Sequence, residues 1–138
     1  MKDTTKIVEE LGLCTDFRTF YDENKDHMIT VSLSQMLKDL FEEKNIKKSD
    51  AIKRAEISEV YAYQIFSGAR KPERNKLSCL ALGMELNIEE TQKLLRCAGY
   101  SPLYVKLPSD SILLYGICKK LTVIEINEML FDYGLETI

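Results

Sequence analysis

The residue types that most often catalyse reactions or bind metals are few in this sequence and widely spaced. Its four cysteines, Cys14, Cys79, Cys97 and Cys118, form no C-x-x-C pair, and the single His27 has no cysteine near it in the chain. A structural zinc site needs four such ligands at characteristic spacings, so we expect no metal and no cofactor. The cysteines are expected to be reduced thiols, three of them in the core.

The sequence also lacks the motifs of the common enzyme classes. It contains no Gly-rich phosphate-binding loop, no paired histidines and no G-x-S-x-G nucleophile motif. Its Asp and Glu residues are scattered over what we expect to be polar helix faces, which is typical of solubilising charge. We therefore expect a protein that is not an enzyme.

Basic residues are unevenly distributed along the chain. The formal net charge is −3, yet residues 47–76 carry 8 Lys and Arg against 4 Asp and Glu, a local net charge of +4. The segments before and after this window have net charges of −4 and −3. Such a window is what a modest DNA-facing surface on an acidic protein would look like, although an ordinary solvated face has the same composition.

Length and composition indicate one compact, ordered domain. The chain has 138 residues, 45% of them hydrophobic, with only 6 Gly and 3 Pro. No apolar run approaches the roughly 20 residues of a membrane span, and MKDTTKIVEELG has acidic residues where a signal peptide would be apolar. The expectation is a cytoplasmic protein that does not associate with membranes.

Helix-start signals recur, whereas strand-type alternation is weak, so the sequence predicts an all-α fold. SLSQ from Ser32 is a capping box with Gln35, and Val31 and Met36 are placed for a hydrophobic staple. The same cap pattern recurs at Asn87 with Glu90 and at Thr122 with Glu125, and the helices that start there are expected to end at Gly99 and Gly134.

Residues 74–100 match residues 109–135 at a shift of 35 positions. Leu86 falls on Leu121 and Gly99 on Gly134, while other apolar positions match in kind. Each unit is interpreted as a helical hairpin, with common ancestry left open because two amphipathic hairpins can share a period by chance. The second unit predicts a C-terminal helical hairpin, residues 101–138, packed on the preceding domain.

Residues 46–72 read IKKSDAIKRAEISEVYAYQIFSGARKP and predict two short helices joined by a tight turn. The first, about residues 48–55, places Ala51, Ile52 and Ala55 inward, and its small residues allow a second helix to cross closely. The next starts at Ser58 as N-cap, buries its apolar face and ends at Gly68. This arrangement is typical of a helix-turn-helix unit.

The sequence here resembles the lambda-repressor-like helix-turn-helix family of the Xre or Cro type. The resemblance covers roughly residues 32–98 and is carried by Ile46, Ala51, Ala55, Ile57-Ser58, Gln64-Ile65-Phe66-Ser67-Gly68, Arg70-Lys71-Pro72 and the helix with Leu77, Leu80 and Ala81. One position departs from the pattern, because Glu56 stands where the family usually has Gly. A left-handed Glu costs on the order of 1 kcal/mol, which a fold can tolerate.

The resemblance implies an N-terminal extension over residues 1–31, a DNA-binding domain over residues 32–100 and a recognition helix at residues 58–66 that enters the major groove of double-stranded DNA. The implied base contacts are Glu59, Val60, Tyr63 and Gln64. The implied phosphate contacts are Lys47, Lys48, Ser49, Ser67, Arg70, Lys71 and Arg74. Tyr61 is expected to pack rather than to stack on DNA.

The function implied is sequence-specific transcriptional regulation. The alternative is a protein-protein interaction module that keeps the scaffold without binding DNA, a possibility raised by the overall acidity, Glu56 and Glu59.

The last predicted helix has two apolar faces. Its main stripe is Ile126, Met129, Leu130 and Tyr133, while Ile124 and Phe131 lie within about 20° of each other on another side. These two positions correspond to Glu89 and Arg96 of the first hairpin. We predict that Ile124 and Phe131 form a homodimer contact. Alternatively, the N-terminal extension covers them with its apolar residues Ile7, Val8, Leu11, Phe17 and Phe20.

Overall fold

The computed structural model describes residues 3–28 and 32–138, and every regular element in these ranges is helical. This confirms the all-α fold class for the described residues. The chain divides into two compact units, Met1–Thr30 and Val31–Ile138, where the sequence indicated one domain. The expected staple of Val31 on Met36 lies outside the described residues. None of the described helices combines the length and apolar character needed to cross a bilayer.

The N-terminal unit is a pair of helices, α1 (Thr4–Leu13) and α2 (Phe17–Asn24), followed by a single 3₁₀ turn at Lys25–His27. Asn24 is fully buried, and its side-chain amide donates to the Glu10 carboxylate at 3.1 Å and to the Phe20 carbonyl at 3.0 Å. In the segment predicted as an extension, a buried side chain therefore joins the two helices by a hydrogen bond.

The larger unit contains seven helices in the described residues: α3 (Leu33–Glu43), α4 (Lys48–Ala55), α5 (Glu59–Ser67), α6 (Arg74–Gly83), α7 (Ile88–Cys97), α8 (Pro108–Lys119) and α9 (Val123–Asp132). Both later capping boxes form, Asn87 with Glu90 and Thr122 with Glu125. The box at Ser32 is half formed: its hydroxyl accepts from the Gln35 backbone at 3.2 Å, but the Gln35 amide donates to Asp39.

Helices α4 and α6 approach each other closely in the core. Ala51, Ala55 and Gly83 are all buried at this crossing. A Cβ at Gly83 would press on the Ala51 carbonyl and lie 2.8 Å from the Ala55 nitrogen, so only glycine fits there. The small residues of α4 do allow a close approach, but the helix that packs on them is α6, whereas the sequence indicated the helix that follows the turn.

The first hairpin (α6 and α7) and the second hairpin (α8 and α9) correspond residue by residue at the predicted shift. Between their helices Glu85 and Lys120 are both left-handed, with φ of 56° and 55°. Gly99 and Gly134, which follow the last helix of each hairpin, are left-handed as well. The sequence therefore predicted the architecture of both hairpins correctly.

The two hairpins also correspond beyond the residues that match in sequence. The Gln92 side chain accepts from the Leu103 backbone nitrogen at 2.7 Å and donates to the Leu103 carbonyl at 2.8 Å. The Asn127 side chain makes the same two bonds to Ile138, at 2.7 and 3.1 Å. Gln92 and Asn127 are 35 positions apart, and so are Leu103 and Ile138. Each hairpin therefore ends with the same pair of bonds from a side-chain amide to a backbone residue, which we call the amide clamp.

Two predictions about burial are wrong. Only Cys79 is buried; Cys97 is half-buried, and Cys14 and Cys118 are exposed. Burial raises the pKa of the Cys79 thiol to about 11. Tyr133, which was assigned to the main apolar stripe of α9, follows the last residue of the helix and is 74% exposed.

Candidate nucleic-acid interface

The interface is built on α4 and α5, which are joined by only three residues, 56–58. Glu56 adopts φ 58° and ψ 37°, which confirms the left-handed turn expected at this position. Ser58 then caps α5 by accepting from the Tyr61 backbone nitrogen at 3.1 Å. The turn thereby sets the direction in which α5 leaves α4.

The predicted base-reading residues lie on the uncovered side of α5. Glu59 and Tyr63 are exposed, Val60 is 70% exposed and Gln64 is half-buried. At about 100° per residue, the four positions span an arc of about 140°. Because Ala62, which is buried in the core, lies on the opposite side, this arc points away from the bundle.

Gln64 joins the exposed arc to the basic segment that follows the helix. Its backbone carbonyl accepts from the Arg70 nitrogen and the Ser67 hydroxyl, each at 3.1 Å. In the described part of the chain its side-chain amide makes no hydrogen bond, so both amide groups are available to a base edge. Tyr63 is more constrained, since its ring packs edge-on against Phe66 at 5.7 Å.

Two tyrosines hold the basic segment after α5. The Arg70 guanidinium lies 4.9 Å from the Tyr61 ring centre, and Lys71 Nζ lies 4.7 Å from that of Tyr100. The Tyr61 hydroxyl accepts from the Glu73 nitrogen at 3.3 Å, while the Tyr100 hydroxyl donates to a backbone carbonyl at 2.6 Å. Arg70 and Lys71 remain exposed, so their charges are positioned without being neutralised.

The amino-terminal end of α4 provides a second positive region. Lys47 occupies the N-cap position without a side-chain cap bond, and Lys48 and Ser49 follow it, all three exposed. Lys48 Nζ lies 5.9 Å and 5.7 Å from the ring centres of Phe41 and Phe66. Free backbone N–H groups beside two lysines favour an anion such as a phosphate.

Two of the predicted phosphate contacts, Arg74 and Ser67, have hydrogen-bond partners inside the protein. The Arg74 guanidinium donates to both Asp110 carboxylate oxygens, at 2.9 and 3.0 Å, and to the carbonyls of Ser101 and Pro102. Four of its donors are thus used inside the protein. The Ser67 hydroxyl proton is likewise used, in its bond to Gln64.

Asp110, which the sequence analysis did not single out, is 4% exposed. Its burial alone would raise its pKa, but hydrogen bonds from Arg74 and from the Tyr104 backbone outweigh burial and hold the pKa below its ordinary value. The partner of Arg74 lies 36 residues away, and no local pattern connects the two positions.

The predicted dimer residues are both exposed, Ile124 by 56% and Phe131 by 77%. This supports the second apolar face of α9 that the sequence predicted, although it does not identify what covers that face.

Neither a family model, nor a curated protein, nor a solved structure matches this chain. Within residues 3–28 and 32–138 there is also no group of three or more His, Cys, Asp or Glu that could hold a metal ion.

Proposed function

We propose that this protein is a sequence-specific, double-stranded DNA-binding transcriptional regulator of the lambda-repressor-like type, with α5 as its recognition helix. The observation that carries the proposal is the uncovered arc of α5 with positive charge near it at two places: Lys48 lies beside Phe66 of this helix, and Arg70 lies beside Tyr61. A helix with base-reading side chains and flanking cations is the arrangement that major-groove binding requires.

The positive and negative charges of this surface have different roles: the cations contribute to affinity and the carboxylate contributes to selectivity. The two positive regions attract phosphates on any sequence, whereas Glu59 at the start of α5 repels them. A carboxylate in this place suits discrimination, because it can accept a hydrogen bond from the cytosine amino group. The Gln64 amide suits adenine, because it can accept a hydrogen bond from the adenine amino group and donate one to the adjacent ring nitrogen.

A selection from random-sequence DNA, followed by a salt titration on the selected site, tests the proposal. Four cations that contact phosphates should give a log-log salt slope of about −3 to −4 for one protein chain. A control titration on unrelated DNA should give weaker binding with a similar slope. If no sequence is enriched and DNA does not bind at low salt, the scaffold is instead a protein-protein interaction module.

We further propose that the regulator acts as a homodimer through Ile124 and Phe131, which would place two recognition helices on two half-sites. The double variant Ile124→Glu with Phe131→Arg restores the charge types of Glu89 and Arg96 in the first hairpin. It should give a folded monomer that binds DNA more weakly. Light scattering that shows the wild type to be a monomer at high concentration would contradict the dimer.

A further inference from the structure

One peptide unit of the basic segment is held from both sides by tyrosine hydroxyls. This unit joins Pro72 to Glu73, directly after the two cations that we assign to phosphates. The Tyr100 hydroxyl donates to the carbonyl of the unit at 2.6 Å, and the N–H of the unit donates to the Tyr61 hydroxyl at 3.3 Å. Because a tyrosine hydroxyl can donate or accept, the two side chains satisfy both polar groups of the unit. We call this arrangement the tyrosine clasp.

The two tyrosines of the clasp come from different parts of the chain. Tyr61 belongs to α5, whereas Tyr100 follows α7 and begins the connection to the second hairpin. Each ring also lies against a cation: Arg70 is 4.9 Å from the ring centre of Tyr61, and Lys71 Nζ is 4.7 Å from that of Tyr100. The position of Lys71 therefore depends on a residue that lies outside α4 and α5.

Tyr100 is firmly attached to the rest of the larger unit. It is half-buried, and its backbone nitrogen donates to the Leu95 carbonyl at 2.9 Å. The carbonyls of the next two residues accept from Arg74, which also pairs with the buried Asp110 of α8. Since Tyr100 is bonded through both its backbone and its hydroxyl, its ring is a fixed support for the Lys71 side chain.

The second hairpin provides a natural comparison for this position. At the shift of 35 residues, Lys71 corresponds to Lys106 and Tyr100 corresponds to Leu135. Leu135 keeps the backbone bond, to the Leu130 carbonyl at 2.8 Å, but has neither a ring nor a hydroxyl. A leucine therefore fits the same place in the same architecture, and the hairpin itself does not require a tyrosine there.

Lys71 has the properties of a phosphate-binding side chain that gains from a fixed position. It is exposed and pairs with no carboxylate in the described part of the chain. A lysine that already rests on an aromatic ring loses less conformational entropy when it binds a phosphate. The attraction between cation and ring leaves the ammonium in solvent, so the phosphate can still reach it.

We propose that Tyr100 is a positioning residue for binding to the DNA backbone, because its ring and hydroxyl hold Lys71 where it contacts a phosphate. This proposal rests on the proposed DNA-binding function, and it extends the DNA-binding apparatus to the junction between the two hairpins. Tyr100 itself reads no base, so it contributes to affinity on every sequence alike.

Salt titrations of DNA binding separate positioning from a structural role. Tyr100→Leu should reduce the magnitude of the salt slope by about 1 on the selected site and on unrelated DNA, as Lys71→Ala does. Tyr100→Phe keeps the ring against Lys71, so it should retain the wild-type slope. A purely structural role would lower the melting temperature of Tyr100→Leu and leave its salt slope unchanged, which would overturn the proposal.

A double-variant cycle connects the effect of Tyr100 to Lys71. Tyr100→Leu combined with Lys71→Ala should bind DNA no more weakly than Lys71→Ala alone, because the tyrosine acts through the lysine. The matched control combines Tyr100→Leu with Lys48→Ala, in the positive region of α4, where the two effects should add. Additive effects of Tyr100→Leu and Lys71→Ala would contradict the proposal.

Limited digestion with trypsin measures the same positioning without DNA. Trypsin cleaves after Arg70, whereas Pro72 protects the bond after Lys71. Cleavage after Arg70 should be about fivefold faster in Tyr100→Leu than in the wild type, with cleavage after Lys25 of the N-terminal unit as the reference. An unchanged rate would show that the clasp does not hold the segment and would overturn the proposal.

The outcomes distinguish this proposal from the proposed function. If the wild type binds DNA and Tyr100→Leu keeps the full salt slope, only the role of Tyr100 is wrong. If the wild type binds no DNA at low salt, the proposed function is wrong, and the role of Tyr100 in binding phosphate is wrong with it.

Discussion

Gln64 connects the loop that follows α5 to the base recognition that we propose. Its carbonyl fixes the basic segment, while its amide lies free on the exposed arc of α5. Gln64→Ala should cost about 1–3 kcal/mol on the preferred site and relax the choice at one base pair. Competition binding over single-base variants of that site measures both effects.

An alanine at exposed Gln35, on α3, is the matched control and should leave DNA binding unchanged. Equal loss for Gln64→Ala on all sequences, or no loss, would remove Gln64 from the residues that read bases.

Arg70 and Lys71 should contribute to affinity without contributing to sequence choice. Each is exposed beside a tyrosine and makes no ion pair within the described ranges. Replacing either with alanine should weaken binding to every sequence and reduce the magnitude of the salt slope by about 1. Salt titrations of both variants measure this, with Arg96→Ala on the exposed face of α7 as the control.

An unchanged slope would show that the tyrosine-held charges point away from DNA. Arg70→Lys separates charge from stacking, since it should keep the slope even though it alters the contact with Tyr61.

At the residue scale, the sequence predicted local roles better than distant pairings. Tyr61 packs as expected, and the exposure of Glu59 and Val60 follows from helical periodicity. The ion pair of Arg74 with Asp110 could not be predicted, because it joins helices whose relative placement is set by the whole core.

At the scale of elements, the tight turn between α4 and α5 stores strain. Glu56 is left-handed, a conformation that costs a residue with a Cβ on the order of 1 kcal/mol. Glu56→Gly should therefore raise the free energy of unfolding by about 1 kcal/mol, measured by urea denaturation.

Asn45→Gly is the comparison, because Asn45 is also left-handed but asparagine tolerates this region better. Asn45→Gly should therefore raise the free energy of unfolding by less than Glu56→Gly does. A loss of stability in Glu56→Gly would mean that the glutamate side chain contributes more than its backbone strain costs.

The starts of α7 and α9 were predictable because capping boxes define them, and α4 ends at the left-handed Glu56, although no side-chain cap marks its start. The capping box at Ser32 was predicted in full and formed in half, since Gln35 has a competing partner one turn later in Asp39. The amide clamps could not be predicted from the sequence. Each joins a side-chain amide to the backbone of a residue eleven positions later, and such a pair leaves no periodic pattern in the sequence.

For the whole molecule, the Arg74–Asp110 pair ties the start of α6 to the start of α8 and makes the attachment sensitive to acid. The pKa of Asp110 is lower in the folded protein than its ordinary value of about 3.9. Its contribution to stability is therefore fully present above that ordinary value and is lost as the pH falls through the lower folded pKa. Asp110→Asn should cost about 3 kcal/mol near neutral pH.

Urea unfolding at a series of pH values from 7 to about 2 tests this linkage. The difference in stability between wild type and Asp110→Asn should shrink as the pH falls, whereas Glu128→Gln, at an exposed position of α9, should track the wild type throughout. A constant difference across the series would show that the mutation acts through packing and not through charge.

The division of the chain into two units was not predictable from its composition. A short helical pair with apolar residues such as Phe20 looks like part of a larger core until its own hydrogen bonds are known.

The amide clamps make the molecule modular in an engineering sense. Gln92 holds Leu103 at the point from which the backbone continues to α8, and Asn127 holds Ile138 in the same way. A polypeptide joined after Ile138 would therefore start from a clamped residue equivalent to Leu103 and continue in the equivalent direction. Tandem copies of residues 104–138 could therefore lengthen the molecule in fixed increments, with the joint itself unchanged.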